Sequence, residues 1–282
     1  MNSAITAITV ALLLFALSGT AMAGSISITT TADTLVMNST SAVLPVTVRN
    51  SGDEAAHDVK ISLLLPDGFT SQGVFAGRIE PDSSYTTDFS IAGDAKSGEY
   101  AYAILVEYKD ANRYPFSAVS PNAIIYKTPS SSHVTATLRG TAMQENGSII
   151  MSIRNRDAVP HEIKVKLYLP NEIASMESEK TIALAGNENR QESFVLENQG
   201  ALEGSTYAVF AVISYENGEH YSHIASSNVR IGAETATTRP QTDGVKVNDM
   251  LMILLALLIA VLVIYNIGVK KWKKKEQKQE QV

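Results

Sequence analysis

VTVRNSGDEAAHDVKISLLLP, residues 46–66, is the stretch on which the fold is decided. Val59, Ile61, Leu63 and Leu65 alternate with Lys60, Ser62 and Leu64, which gives a period of two and one apolar face. A helix would scatter those polar side chains around its apolar stripe, so the segment reads as a half-buried strand. Pro66-Asp67-Gly68 ends it with turn chemistry. Roughly a hundred residues later, MSIRNRDAVPHEIKVKLYLP at 151–170 restates the pattern. There Ile163, Val165, Leu167 and Leu169 form the apolar face, and Lys164, Lys166 and Tyr168 face the other way.

The repetition extends further. Gly98 to Tyr108 corresponds to Gly204 to Tyr215, and Tyr114 and Tyr221 each follow six residues after the closing tyrosine. This is a tandem duplication, and two units are too few for a solenoid, so each must bury its own core. Glu80-Pro81-Asp82-Ser83-Ser84 and Ala185-Gly186-Asn187-Glu188-Asn189 read as further turns, each followed by an alternating run ending in Phe89 or Phe194. Short strands between regular turns make each unit an all-β sandwich of about seven strands.

A strand ending in Arg-Asn, an acidic turn, a strand ending in Leu-Pro, then Gly-x-Tyr leading into a Tyr-ended strand resembles the cell-adhesion-related bacterial domain (CARDB). It is also similar to immunoglobulin-like modules attached to some glycosidases and archaeal surface-layer proteins. The residues that carry the resemblance are Asn50, Gly52, Asp53, Leu65-Pro66, Pro81, Gly98, Tyr100 and Tyr108. Unit two departs from it, with Arg156 for the turn glycine and Gly186 where the first unit has a proline. The resemblance implies two tandem immunoglobulin-like sandwiches, at 24–128 and 133–232, serving as spacers or binding platforms without a catalytic motif. Between them, 129–132 reads as a short polar linker, a hinge of limited reach.

Residues 250–269, MLMILLALLIAVLVIYNIGV, carry no charge and span roughly 30 Å as a helix, the thickness of a bilayer core. Asp249 precedes them and Lys270, Lys271, Lys273, Lys274 and Lys275 follow, so the expected orientation is a cytoplasmic tail at 270–282 and everything earlier outside. Residues 233–249 have almost no apolar content and read as a flexible stalk. Residues 1–23 read as a signal peptide closing on Ala21-Met22-Ala23, although Met1-Asn2-Ser3 lacks the usual basic residue. The tail holds six lysines against two glutamates, so a chain of net charge −6 has an outer part near −10. That acidity argues against nucleic acid as a partner. The absence of cysteine removes disulfides, thiol catalysis and thiolate metal sites, and it favours a bacterial or archaeal envelope.

Chemistry is sparse. No nucleophile elbow, Walker loop or dinucleotide fingerprint occurs, and neither a catalytic residue, a cofactor nor a metal site is expected. His220 and His223 are three apart, which on a strand points them to opposite faces, so they read as surface polar residues. His57 and His161 occupy equivalent places in the two units. Asp53-Glu54 and Asp94 fall in surface turns, and Asp110-Ala111-Asn112 lacks the other ligands of a calcium loop. Trp272 lies in the basic flank as an interface anchor. Tyr114 and Phe116 are the candidate ligand contacts, a small aromatic platform that competes with end-of-sandwich packing. Tyr100, Tyr102 and Tyr108 share one strand face and read as core. Asn38 and Asn146 fit the N-glycosylation pattern.

The expected function is a non-enzymatic, membrane-anchored extracytoplasmic adhesion, scaffold or interaction module. Its partners would be the bilayer, through 250–269, and an envelope protein or glycan. The alternatives are an accessory subunit of a transport or polymer-export complex, and a carbohydrate-binding module.

Overall fold

A computed structural model describes residues 24–232 of the chain. The expected signal peptide, stalk, membrane span and basic tail lie outside the described residues. Those described are all-β, with no helix among them. Repeat one contains β1 (Ile28–Thr31), β2 (Leu35–Met37), β3 (Ser41–Asn50), β4 (Ala56–Leu64), β5 (Phe69–Thr70), β6 (Val74–Ile79), β7 (Ser83–Gly93), β8 (Gly98–Lys109) and β9 (Pro115–Tyr126). Repeat two contains β10 (Val134–Arg139), β11 (Thr141–Met143), β12 (Asn146–Asn155), β13 (His161–Tyr168), β14 (Ile173–Ala174), β15 (Glu179–Leu184), β16 (Asn189–Asn198), β17 (Thr206–Asn217) and β18 (Glu219–Ile231).

Each strand of the first set has its counterpart in the second. One sheet runs β1-β3-β7-β5, and its equivalent runs β10-β12-β16-β14. The facing sheet runs β2-β9-β8-β4-β6, matched by β11-β18-β17-β13-β15. Apart from the parallel pairs β2–β9 and β11–β18, the pairing within each repeat is antiparallel. The order of the main strands is that of an immunoglobulin-type sandwich, with one more strand at the edge. Nine strands per repeat replace the expected seven for two reasons. The first strand switches sheets partway, leaving β1 in one sheet and β2 in the other, and β6 adds an edge strand beside β4.

Each repeat does bury its own core. Val46, Val48, Val59, Ile61, Phe89 and Tyr102 belong to the first core, and Ile153, Ile163, Val165, Phe194 and Ile213 to the second. The period of two read from the sequence is met by Val59 and Ile61, fully buried, against exposed Lys60, and by Ile163 and Val165 against exposed Lys164. Asn50 and Asn155, the last residues of β3 and β12, are buried polar side chains. Asn50 Nδ2 donates to the Glu54 carbonyl at 2.7 Å, and its Oδ1 accepts from the Gly52 N–H at 3.0 Å. Asn155 does the same with the Val159 and Ala185 carbonyls and the Asp157 N–H, all at 2.9 Å. The Arg-Asn signature is thus a clamp: the asparagine closes the turn that starts the next strand, satisfying backbone groups with no sheet partner.

A third apolar cluster lies between the repeats. Ala101, Ala103 and Val119 of repeat one meet Tyr168, Phe210 and Val212 of repeat two. Tyr168 faces away from its own core, as the alternation requires, but repeat one covers it and leaves it only 6% exposed. β18 then pairs with β8 in parallel at His220 and Gly98, so one ten-stranded sheet runs through both repeats. The linker takes part in this. Ser130 is buried, its hydroxyl accepting from the Glu99 N–H at 2.9 Å and donating to the His220 carbonyl at 2.7 Å. The composition reads as a short polar hinge of limited reach, and this serine is tied to both repeats.

Candidate ligand-binding groove at the junction of the repeats

Where the two repeats meet, backbone geometry decides how closely they approach. Gly98 has φ of 142°, and a Cβ there would lie 2.0 Å from the His220 carbonyl oxygen. Only glycine permits the contact. The His220 N–H donates to the Ser97 carbonyl at 2.9 Å, and its ring stacks on Tyr100 at 3.8 Å with the planes 2° apart. Burial holds the His220 pKa below the usual histidine value. His220 therefore belongs to the junction rather than to open surface. His223 turns elsewhere, its Nε2 lying 3.2 Å from the Ala136 carbonyl oxygen, so the two histidines do not converge.

On the other flank of the junction the contact is polar. Glu172 is buried, with Oε1 accepting from the Ser117 N–H at 2.5 Å and Oε2 from the Ser117 hydroxyl at 2.7 Å. The same hydroxyl accepts from the Asn171 N–H at 2.7 Å. Burial raises the Glu172 pKa, and the Ser117 bonds pull it partly back. Burial also pushes the Tyr108 hydroxyl well above its ordinary value, with Glu172 adding to the shift.

Among the described residues, three clefts flank this seam; one, of about 560 Å³, lies among Ile28, Val119, Pro170 and Tyr207, and the other two differ in size. The larger, about 930 Å³, has Tyr100, Tyr168 and Tyr215 in its wall, but all three rings are buried. Its lysines are engaged: Lys96 pairs with Glu216, Lys164 with Glu179, and Lys166 sits over the Tyr168 ring. The smaller, about 450 Å³, takes Tyr108, Tyr114 and Phe116 from repeat one and Asn171, Gln199 and Gly200 from repeat two. Phe116 stacks on Tyr108 at 5.7 Å and lies 5.1 Å from Tyr114. Tyr114 is 37% exposed, yet it is held at both ends. Its N–H donates to Asp110 Oδ1 at 2.7 Å, and its hydroxyl donates to the Gly200 carbonyl at 2.6 Å. The structure thus brings the two candidate contacts, Tyr114 and Phe116, together with a third ring in a groove that neither repeat forms alone.

Asn171, Glu172, Gln199 and Gly200 escaped the reading of the sequence. Ser117 is 55 residues from Glu172 and Tyr114 is 86 from Gly200, and no local pattern marks such pairs. The remaining candidates stand apart. Asn38, in the turn between β2 and β3, and Asn146, the first residue of β12, are both exposed. Asp53 accepts from the Ser25 N–H and hydroxyl, which hold its pKa below the usual carboxylate value. Asp110 uses its carboxylate to cap the turn before Tyr114. His161 is buried against Asp157 at 3.2 Å, while His57 is half-buried in β4. Among the described residues no group of three His, Cys, Asp or Glu side chains is placed to hold a metal.

No protein-family profile matches the chain, and no curated protein matches it. Among solved structures, an Escherichia coli alpha-2-macroglobulin activated by porcine elastase aligns at 12% identity and a TM-score of 0.29, over 76% of this chain and 23% of that one. A Porphyromonas gingivalis W83 protein of unknown function aligns at 13% identity and a TM-score of 0.27, over 71% and 99%. A YadV chaperone aligns at 12% identity and a TM-score of 0.28, over 71% and 98%. The chain thus spans less than a quarter of the macroglobulin's length. Likenesses this distant say nothing about activity, and the sandwich architecture rests on the hydrogen-bond register alone.

Proposed function

We propose that the chain is a non-enzymatic, membrane-anchored envelope protein whose two repeats act outside the cell as one scaffold or adhesion module. The observation that carries this reading is the built seam between the repeats. An apolar cluster, a shared sheet and a buried carboxylate–serine contact tie them together. Independent beads on a string need none of these. A platform that must hold its loops and sheet faces at a fixed spacing needs all of them, because stiffness lowers the ordering cost of binding a partner. Residues 250–269 and the basic residues after them supply the anchor and its orientation. The order of strand, acidic turn and Gly-x-Tyr motif resembles the cell-adhesion-related bacterial domain, and the equivalent use of Asn50 and Asn155 in the two repeats is in keeping with that resemblance. Deleting residues 24–232 while keeping the leader, span and tail should abolish surface binding or envelope-complex assembly. Cells that adhere and assemble normally after the deletion would contradict the reading.

A further inference from the structure

The geometry points to a saccharide site: we propose that the groove formed by Tyr108, Tyr114, Phe116, Asn171 and Gln199 binds a neutral pyranose of a glycan chain. This goes beyond the scaffold reading and does not depend on it, since a scaffold needs no small ligand.

Three features select this ligand class. A pyranose has a C–H face that packs on an aromatic ring, and Tyr114 offers one that is exposed but already fixed by the Asp110 and Gly200 hydrogen bonds. Little rotamer freedom is left for the ligand to remove. Secondly, ring hydroxyls are at once donors and acceptors, and amides meet both roles. Asn171 Nδ2 donates to Glu107 Oε1 at 3.0 Å, which leaves its oxygen directed to no partner, and the Gln199 side-chain amide makes no hydrogen bond among the described residues. Thirdly, acidic groups outnumber basic ones in the groove by three to two. Asp58, Glu107 and Glu172 face Lys60 and Lys109, which are paired at 3.3 Å with Glu107 and 2.9 Å with Asp58. An anionic sugar finds no surplus of positive charge there. The volume, about 450 Å³, lies in the range of small-molecule sites and suits one or two sugar rings.

The test is a glycan array of neutral and uronate-containing oligosaccharides probed with detergent-solubilised full-length protein, followed by titration of the best neutral ligand. Tyr114→Ala and Gln199→Ala should each weaken binding by about tenfold, the size of effect that losing one central contact produces. Tyr114→Phe, which keeps the ring, should change it by less than about threefold. Melting temperatures of the variants establish that they are folded. Should Tyr114→Ala lower the melting temperature sharply, Gln199→Ala, which breaks no internal bond, decides the matter. The proposal fails if no neutral glycan binds, if only uronate-containing glycans bind, or if Gln199→Ala leaves the titration unchanged. Deleting residues 24–232 bears on the scaffold reading alone, so the two ideas can fail separately.

Discussion

Asn155 shows how one side chain can stand for a whole turn. Its amide, on a side chain only 1% exposed, satisfies two carbonyls and one N–H that no strand pairs. Asn155→Ala should lower unfolding free energy by roughly 1–3 kcal/mol, measured by chemical denaturation, because it removes three hydrogen bonds made by a buried side chain. A loss below about 0.5 kcal/mol would mean that the turn finds other partners. Glu172 makes a different prediction. Burial raises its folded pKa above the unfolded value, so the folded state keeps its proton to higher pH. Its contribution is therefore complete below the ordinary glutamate pKa and is lost as pH rises through the raised folded value. Glu172→Gln should flatten the decline of melting temperature as pH rises above the ordinary glutamate pKa. Parallel profiles for the two proteins would show that another group titrates there.

Among the strands, legibility depended on which face was covered by what. The alternation in Val59–Leu65 and Ile163–Leu169 could be read because one face meets a local core and the other meets water. The outer faces of β8 and β17 could not be assigned a partner. Yet Tyr100-Ala101-Tyr102-Ala103-Ile104 and Val209-Phe210-Ala211-Val212-Ile213 carry a signal in their unbroken apolar runs, since a strand apolar on both faces is buried on both. The alternation called Tyr168 outward-facing, which is correct, and it is covered only because repeat one lies against it. Gly98 and its counterpart near Gly204 show how far the duplication has diverged: the first lets β18 approach, whereas nothing lies within 4 Å of a Cβ at the second. Gly98→Ala should consequently break the β8–β18 contact and spare both cores. Amide exchange reads this out, with the His220 N–H losing about tenfold or more in protection while amides of the β4–β8 ladder keep theirs. Unchanged protection at His220 would mean the contact is not what shields it.

At the scale of the molecule, the duplication and the all-β architecture were visible in the residues, and the seam was not. Ser117 with Glu172, Tyr114 with Gly200 and Ser130 with His220 join residues far apart in the chain, and Ser117, Glu172 and Ser130 are of types ordinarily found at the surface. Composition points toward a hinge at 129–132, whereas three-dimensional pairing makes a single body whose groove depends on both repeats. The absence of native cysteine makes the decisive measurement simple. Spin labels at Ser84→Cys in β7 and Ser193→Cys in β16, both exposed, report the distance between the repeats in the full-length protein. A single narrow distance distribution is expected, broadening when Phe210→Asp places a charge in the seam. A broad distribution in the otherwise native protein, unaltered by Phe210→Asp, would contradict the account.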